Sequence, residues 1–70
     1  MKAGDRVRIL RDYHYSVERD LDGRHHAMVV RAGTPGVVVG AGGPGAVWVK
    51  LPPPHTDMVF RLDMLEGVAP

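Results

Sequence analysis

RAGTPGVVVGAGGPGAVWVKL, the stretch from Arg31 to Leu51, decides the reading of this chain. It holds two apolar, β-branched runs, Val37 to Val39 and Ala46 to Val49, each introduced by a Pro-Gly pair. In Thr34-Pro35-Gly36, proline presets φ for the second position of a turn, and glycine supplies the positive φ that a type II turn needs next. Type II turns splay their flanking strands, so Thr34 to Val37 is predicted to be a diverging corner with Gly36 at positive φ. Gly42-Gly43-Pro44-Gly45 reads as a hairpin loop. Val37 to Val39, apolar on both faces, reads as a central strand, and Gly40 offers a site for the bulge or sharp bend that closing a small barrel requires.

Outward from this stretch, Lys2 to Asp5 is a polar lead-in. Arg6-Val7-Arg8-Ile9-Leu10 alternates charge with apolar residues, the period of a half-buried strand with Val7 and Ile9 inward. Arg11 to Ala27 (RDYHYSVERDLDGRHHA) is polar and mixed in charge, and is read as one long excursion, functional or mobile, with Asp12 to His26 the segment least protected from amide exchange. Within it, Val17 to Leu21 is too short for a stable helix. Met28 to Ala32 resumes extended character. After Ala46 to Leu51, Pro52-Pro53-Pro54 lacks donors and must leave the sheet. Met58 to Leu62 is the partner strand, Asp63-Met64-Leu65 a 3₁₀ turn, and Glu66 to Val68 a last edge strand.

Parity sets the faces of the last hairpin. Lys50 and Arg61 belong in water, so Trp48 and Val59, each two residues away, point outward too. Opposed residues share a face, which a loop over Pro52 to Asp57 satisfies by setting Lys50 opposite Val59 and Trp48 opposite Arg61. Val49 then faces Phe60 and Leu51 faces Met58 inside. The only tryptophan lands on the outer face, placed to stack with Arg61.

Five short strands, a long first loop, a diverging corner and a 3₁₀ turn before the last strand describe an all-β, five-stranded SH3-like barrel, one domain over residues 1–70. Gly4-Asp5-Arg6-Val7-Arg8, Gly36-Val37-Val38-Val39 and Asp63-Met64-Leu65-Glu66 together resemble the frame of several small SH3-like proteins. These are the variable chain of ferredoxin:thioredoxin reductase, the SH3-like small protein of photosystem I, nitrile hydratase β-type domains and the plasmid-borne type II dihydrofolate reductases. The resemblance rests on turn glycines and core valines, which specify a fold and carry no chemistry. Resemblance to the reductases would imply Val-Gln-Ile-Tyr on the strand before the final turn, where this chain has Met58-Val59-Phe60-Arg61.

Seventy residues without cysteine can bury only about 60% of the chain's surface, with no disulfide or thiolate metal site to reinforce the core. A cytoplasmic setting fits this usage. Met1 to Leu10 does not read as a signal peptide, and no apolar run approaches the roughly 20 residues that span a bilayer. No nucleophile, base and orienting acid assemble, and no phosphate loop precedes a helix, so neither catalysis nor a cofactor is expected. His14, His25, His26 and His55, with Asp12, Asp20 and Asp22, include metal-ligand types at poor spacing. Extended, His25 and His26 point to opposite faces, and no metal is expected.

Two partner classes remain. An outward Trp48 beside Val59, rimmed by Arg61 and Lys50, has the composition of a protein-interaction hot spot, for a larger protein or a second copy of the chain. The competing reading folds the long loop back over Trp48. Arg6, Arg8, Arg11, Lys50 and Arg61, with Trp48 and Tyr13 near by, form the basic strip with stacking aromatics of a nucleic-acid-binding small barrel. Against that stand a net charge of +1 and the interspersed Glu18, Asp20, Asp22, Asp57 and Asp63. Pro52-Pro53-Pro54 is read as a rigid loop, with docking on an aromatic groove as the alternative.

Overall fold

In the computed structural model, which describes residues 1–18, 23 and 25–69, Arg6-Val7-Arg8-Ile9 forms a half-buried strand. Val7 and Ile9 are each 1% exposed while the arginines face water. This strand, β1 (Arg6–Ile9), is followed by β2 (Tyr13–Glu18), β3 (His25–Val30), β4 (Pro35–Ala41), β5 (Ala46–Lys50) and β6 (Met58–Arg61). A 3₁₀ turn, Leu62–Met64, then leads into β7 (Leu65–Gly67), one residue earlier than the sequence predicts. The fold is all-β: the described residues form two antiparallel sheets and no α-helix. The larger sheet runs β6-β5-β4-β1-β7, and β2 and β3 make a second sheet of their own.

That second sheet corrects the reading of Arg11 to Ala27 as an irregular excursion. Tyr13 to Glu18 pairs with His25 to Val30 in continuous register, from Tyr13 opposite Val30 to Glu18 opposite His25. Tyr13, Tyr15 and Val17 alternate with His14 and Ser16, a period of two confined to a short window and hidden by the polar residues around it. Aromatic and β-branched residues on one face are what a strand needs. Residues 19–22, which include the end of the weighed helix and the carboxylates Asp20 and Asp22, lie outside the described residues.

The root of this hairpin closes the core. Val30 is fully buried and joins the buried Val7, Ile9, Val38, Val47, Val49, Leu51, Phe60 and Leu65. Tyr13 meets Phe60 edge to face at 5.3 Å between ring centres and stacks on Tyr15 at 6.3 Å. The Tyr15 hydroxyl and His55 Nδ1 share a hydrogen bond of 2.6 Å, which ties β2 to the loop after Pro54. Every inward position of the large sheet thus meets either this hairpin root or another inward side chain.

The corner is real but lies three residues earlier than predicted. Thr34 N donates to Arg31 O at 3.1 Å, and Gly33 holds φ +90° at the third position of that turn, where type II geometry requires a positive value. Gly36 is not in the left-handed region; it is a buried strand residue opposite Val7. Its reason is close approach: a Cβ there would stand 2.5 Å from Val49 Cγ1 and 3.2 Å from Lys50 O. Gly42 to Gly45 makes the predicted hairpin loop, with Gly42 N donating to Ala46 O at 3.0 Å. Of the bulge or bend expected at Gly40 the bulge forms, since the β4–β5 register shifts between Val38 and Gly40.

Two further expectations change. β4 is central but apolar on both faces without being covered on both: Val38 is buried while Val37 and Val39 are 40% and 45% exposed. The β5–β6 pairing is Ala46 with Arg61, Val47 with Phe60, Trp48 with Val59 and Val49 with Met58. It is slipped by two residues from the predicted register, so every side chain keeps its predicted face. The slip follows from Leu51, which leaves the ladder yet stays buried beside the Pro52–Pro54 loop.

Candidate functional site

The outer face of the large sheet is built by the same alternation that fills the core. With Val7, Val38, Val47, Val49 and Phe60 inward, β1 presents Arg6 and Arg8 outward, β5 presents Trp48 and Lys50, and β6 presents Val59 and Arg61. The bulge keeps Val39 exposed beside the Gly40–Trp48 pair, on the same side as Val37. Trp48 is 43% exposed and Val59, its cross-strand partner, 38%. At that exposure Trp48 is not buried within the chain, so the competing reading in which a folded-back loop covers it fails. Gly42 brings the hairpin loop against the row, since a Cβ there would lie 2.9 Å from Val59 Cγ1.

Charge borders this apolar row. Val37 lies opposite Arg6 on one side and Lys50 on the other, so the two cations flank it with backbones about 10 Å apart, two strand spacings. Arg8 follows Arg6 by two residues, about 7 Å along β1. These three cations line a groove of about 540 Å³ whose apolar walls include Val37, Pro52 and Pro53. Among the described residues Arg6, Arg8 and Lys50 form no ion pair. Glu66, directly across from Arg8, is the one carboxylate that strand pairing places on this face.

The remaining sequence-predicted site residues separate. Arg61 is outward as expected, but it lies opposite Ala46 and pairs with Asp63 at 3.5 Å. The expected stack on Trp48 is therefore replaced by a local ion pair, because the register slip moves Arg61 two positions along. Arg11 sits in the bend after β1, off the sheet. Tyr13 belongs to the other side of the molecule, with its ring against Phe60. Neither joins Arg6, Arg8 and Lys50. Val37, Val39 and the proline walls were missed as site residues, since a continuous valine run does not reveal which members face out.

The histidines do not converge. His25 and His26 are successive strand residues, opposite Glu18 and Val17 respectively, and His55 is engaged by Tyr15. Among the described residues no three His, Asp or Glu side chains gather as a metal ion would require. No helix among them is long and apolar enough to cross a membrane. No protein-family model, curated protein or solved structure matches this chain.

Proposed function

We propose that this chain is a small, non-catalytic interaction module that docks a protein partner on the outward face of its large sheet. The observation that carries the reading is the row Val37, Val39, Trp48 and Val59, each 38–45% exposed on one face of adjacent strands. A large aromatic ranged with three valines is the kind of apolar patch that marks an interaction site on a small monomer. Charge at its border and Trp at its centre match the composition of interface hot spots.

The strand order supports an SH3-like barrel as the scaffold. A hairpin inserted between the first two strands of the β6-β5-β4-β1-β7 sheet, and a 3₁₀ turn before its last strand, fit the resemblance noted in the sequence. The functions of the proteins it resembles do not follow from that scaffold. The lack of cysteine favours a reducing, cytoplasmic setting.

A photo-crosslinking amino acid placed at Val39 or Val59 tests the docking reading in cells. We expect discrete higher-mass adducts from both positions, lost when Trp48 is replaced by alanine, and none from a probe at Ala3. Equal yields from all three positions, or none from any, would overturn it. Nucleic acid is the second reading, favoured by the cations around Trp48, and it predicts binding that collapses as salt rises.

A further inference from the structure

Three cations beside an exposed apolar row constrain what can sit there. We infer that the partner is an acidic, extended segment of another protein, which sets carboxylates among Arg6, Arg8 and Lys50 and lays apolar side chains over Val39, Trp48 and Val59. This inference rests on the docking reading above and specifies its partner.

The first argument is charge complementarity. Arg6, Arg8 and Lys50 line one groove, and the described residues supply none of them with an ion-pair partner. An occupant bearing carboxylates gains charge-assisted hydrogen bonds there, with Arg offering a bidentate fork. The apolar walls from Val37, Pro52 and Pro53 exclude water from one side and strengthen each of those contacts.

The second argument disfavours a second copy of the chain. A two-fold interface sets the same patch against itself. Arg6, Arg8 and Lys50 border one end, so an orientation that sets this end on its copy brings cations together. The reverse orientation sets them against the Arg61–Asp63 ion pair at the other end, not against an unpaired carboxylate.

The third argument disfavours nucleic acid. Single-strand binders stack successive bases on several aromatic rings along a basic track. This face has one ring, Trp48, since Tyr13 packs on Phe60 behind the sheet. Its other apolar members are valines and prolines, which suit aliphatic side chains.

Dimensions complete the description. From Arg6 on β1 to Val59 on β6 there are three strand spacings across the sheet, which with the shift along the strands is about 16 Å. An extended segment covers that distance with about five residues. The recognised unit is thus short: acidic residues at one end and one or two aliphatic or aromatic residues at the other.

The test is selection of a displayed library of random dodecapeptides on the folded chain, with Trp48→Ala as the parallel bait. Synthetic peptides from the enriched pool are then measured by the fluorescence of the single tryptophan. We expect enriched peptides that are net negative and carry an apolar pair. They should bind Arg6→Glu and Lys50→Glu at least tenfold more weakly, and a Glu-to-Lys peptide should recover binding to Lys50→Glu. Circular dichroism melting confirms that each variant is folded, and Lys50→Gln serves where the reversal is not. Neutral or basic enriched peptides, or affinities unmoved by these variants, would overturn the acidic-partner inference and leave the docking reading standing. A dT20 oligonucleotide binding more tightly than any selected peptide would overturn it in favour of nucleic acid. Concentration-dependent dimerisation abolished by Trp48→Ala would overturn it in favour of a second copy. No enrichment over the Trp48→Ala bait would overturn the docking reading itself.

Discussion

Gly33 and Gly36 sit three positions apart and are glycine for different reasons. Gly33 holds φ +90° with nothing within 4 Å of a Cβ, whereas at Gly36 a Cβ would collide with Val49 at 2.5 Å. The sequence motif Thr34-Pro35-Gly36 points to the wrong one, because Pro-Gly fits a type II turn and an edge-to-centre strand entry equally well. Asparagine tolerates positive φ but not a missing space. We therefore expect Gly33→Asn to change stability by less than about 1 kcal/mol, and Gly36→Asn or Gly36→Val to cost about 2 kcal/mol or more by overpacking. Chemical denaturation of the pair checks this, and equal losses would contradict the assignment. Trp48 gives the complementary expectation. Its replacement by alanine opens no cavity in the core, so the free chain should keep its melting temperature to within a few degrees, whereas Phe60→Ala should cost about 3–5 kcal/mol. If Trp48→Ala unfolds the chain, the ring is structural and the proposed docking face loses its centre.

At the scale of elements, face and register were legible to different degrees. The alternation in Arg6 to Ile9 and the parity of Trp48 with Lys50 set which residues point inward, since a strand's period leaves no choice. Pairing register was not legible, because a slip of two residues preserves every face and is decided only by how Leu51 turns into the proline loop. The β2–β3 hairpin was hidden for a related reason. Its apolar stripe, Tyr13, Tyr15 and Val17, is short, and the contacts that stabilise it come from Phe60 and His55, remote in sequence. One of those contacts can be removed alone. Tyr15→Phe keeps the ring and its stacking and deletes the hydrogen bond to His55, which should cost about 0.5–1.5 kcal/mol. The loss should be local, seen as faster amide exchange in Tyr15 to Val17 and in His26 to Met28, with Val38 and Val49 unchanged. Uniform acceleration across both sheets would mean that the hairpin and the large sheet open as one unit.

The whole molecule is longer than its size requires. Its Cα radius of gyration is 12.8 Å and its principal extents are 42 × 23 × 18 Å, against about 11 Å expected for a compact 70-residue chain. The hairpin accounts for the difference in shape. Tyr13, Tyr15 and Val30 pack on the core at its root, whereas Ser16, His25, His26 and Ala27 beyond them are exposed. Root and outer part therefore have separate roles: the first closes the core, and the second contributes little to it. The proposed docking face lies on the opposite side of the large sheet, with the buried layer of Val38, Val49 and Phe60 between them. Replacing residues 17–26 by a short Gly-containing turn should accordingly shrink the radius of gyration measured by small-angle scattering toward about 11 Å, with melting lowered by only a few degrees. Binding of an acidic selected peptide should be unchanged, because none of the described residues removed belongs to the face. A shortened chain that loses its cooperative melting would show instead that the outer hairpin stabilises the sheet, and that the arm cannot be separated from the fold that carries it.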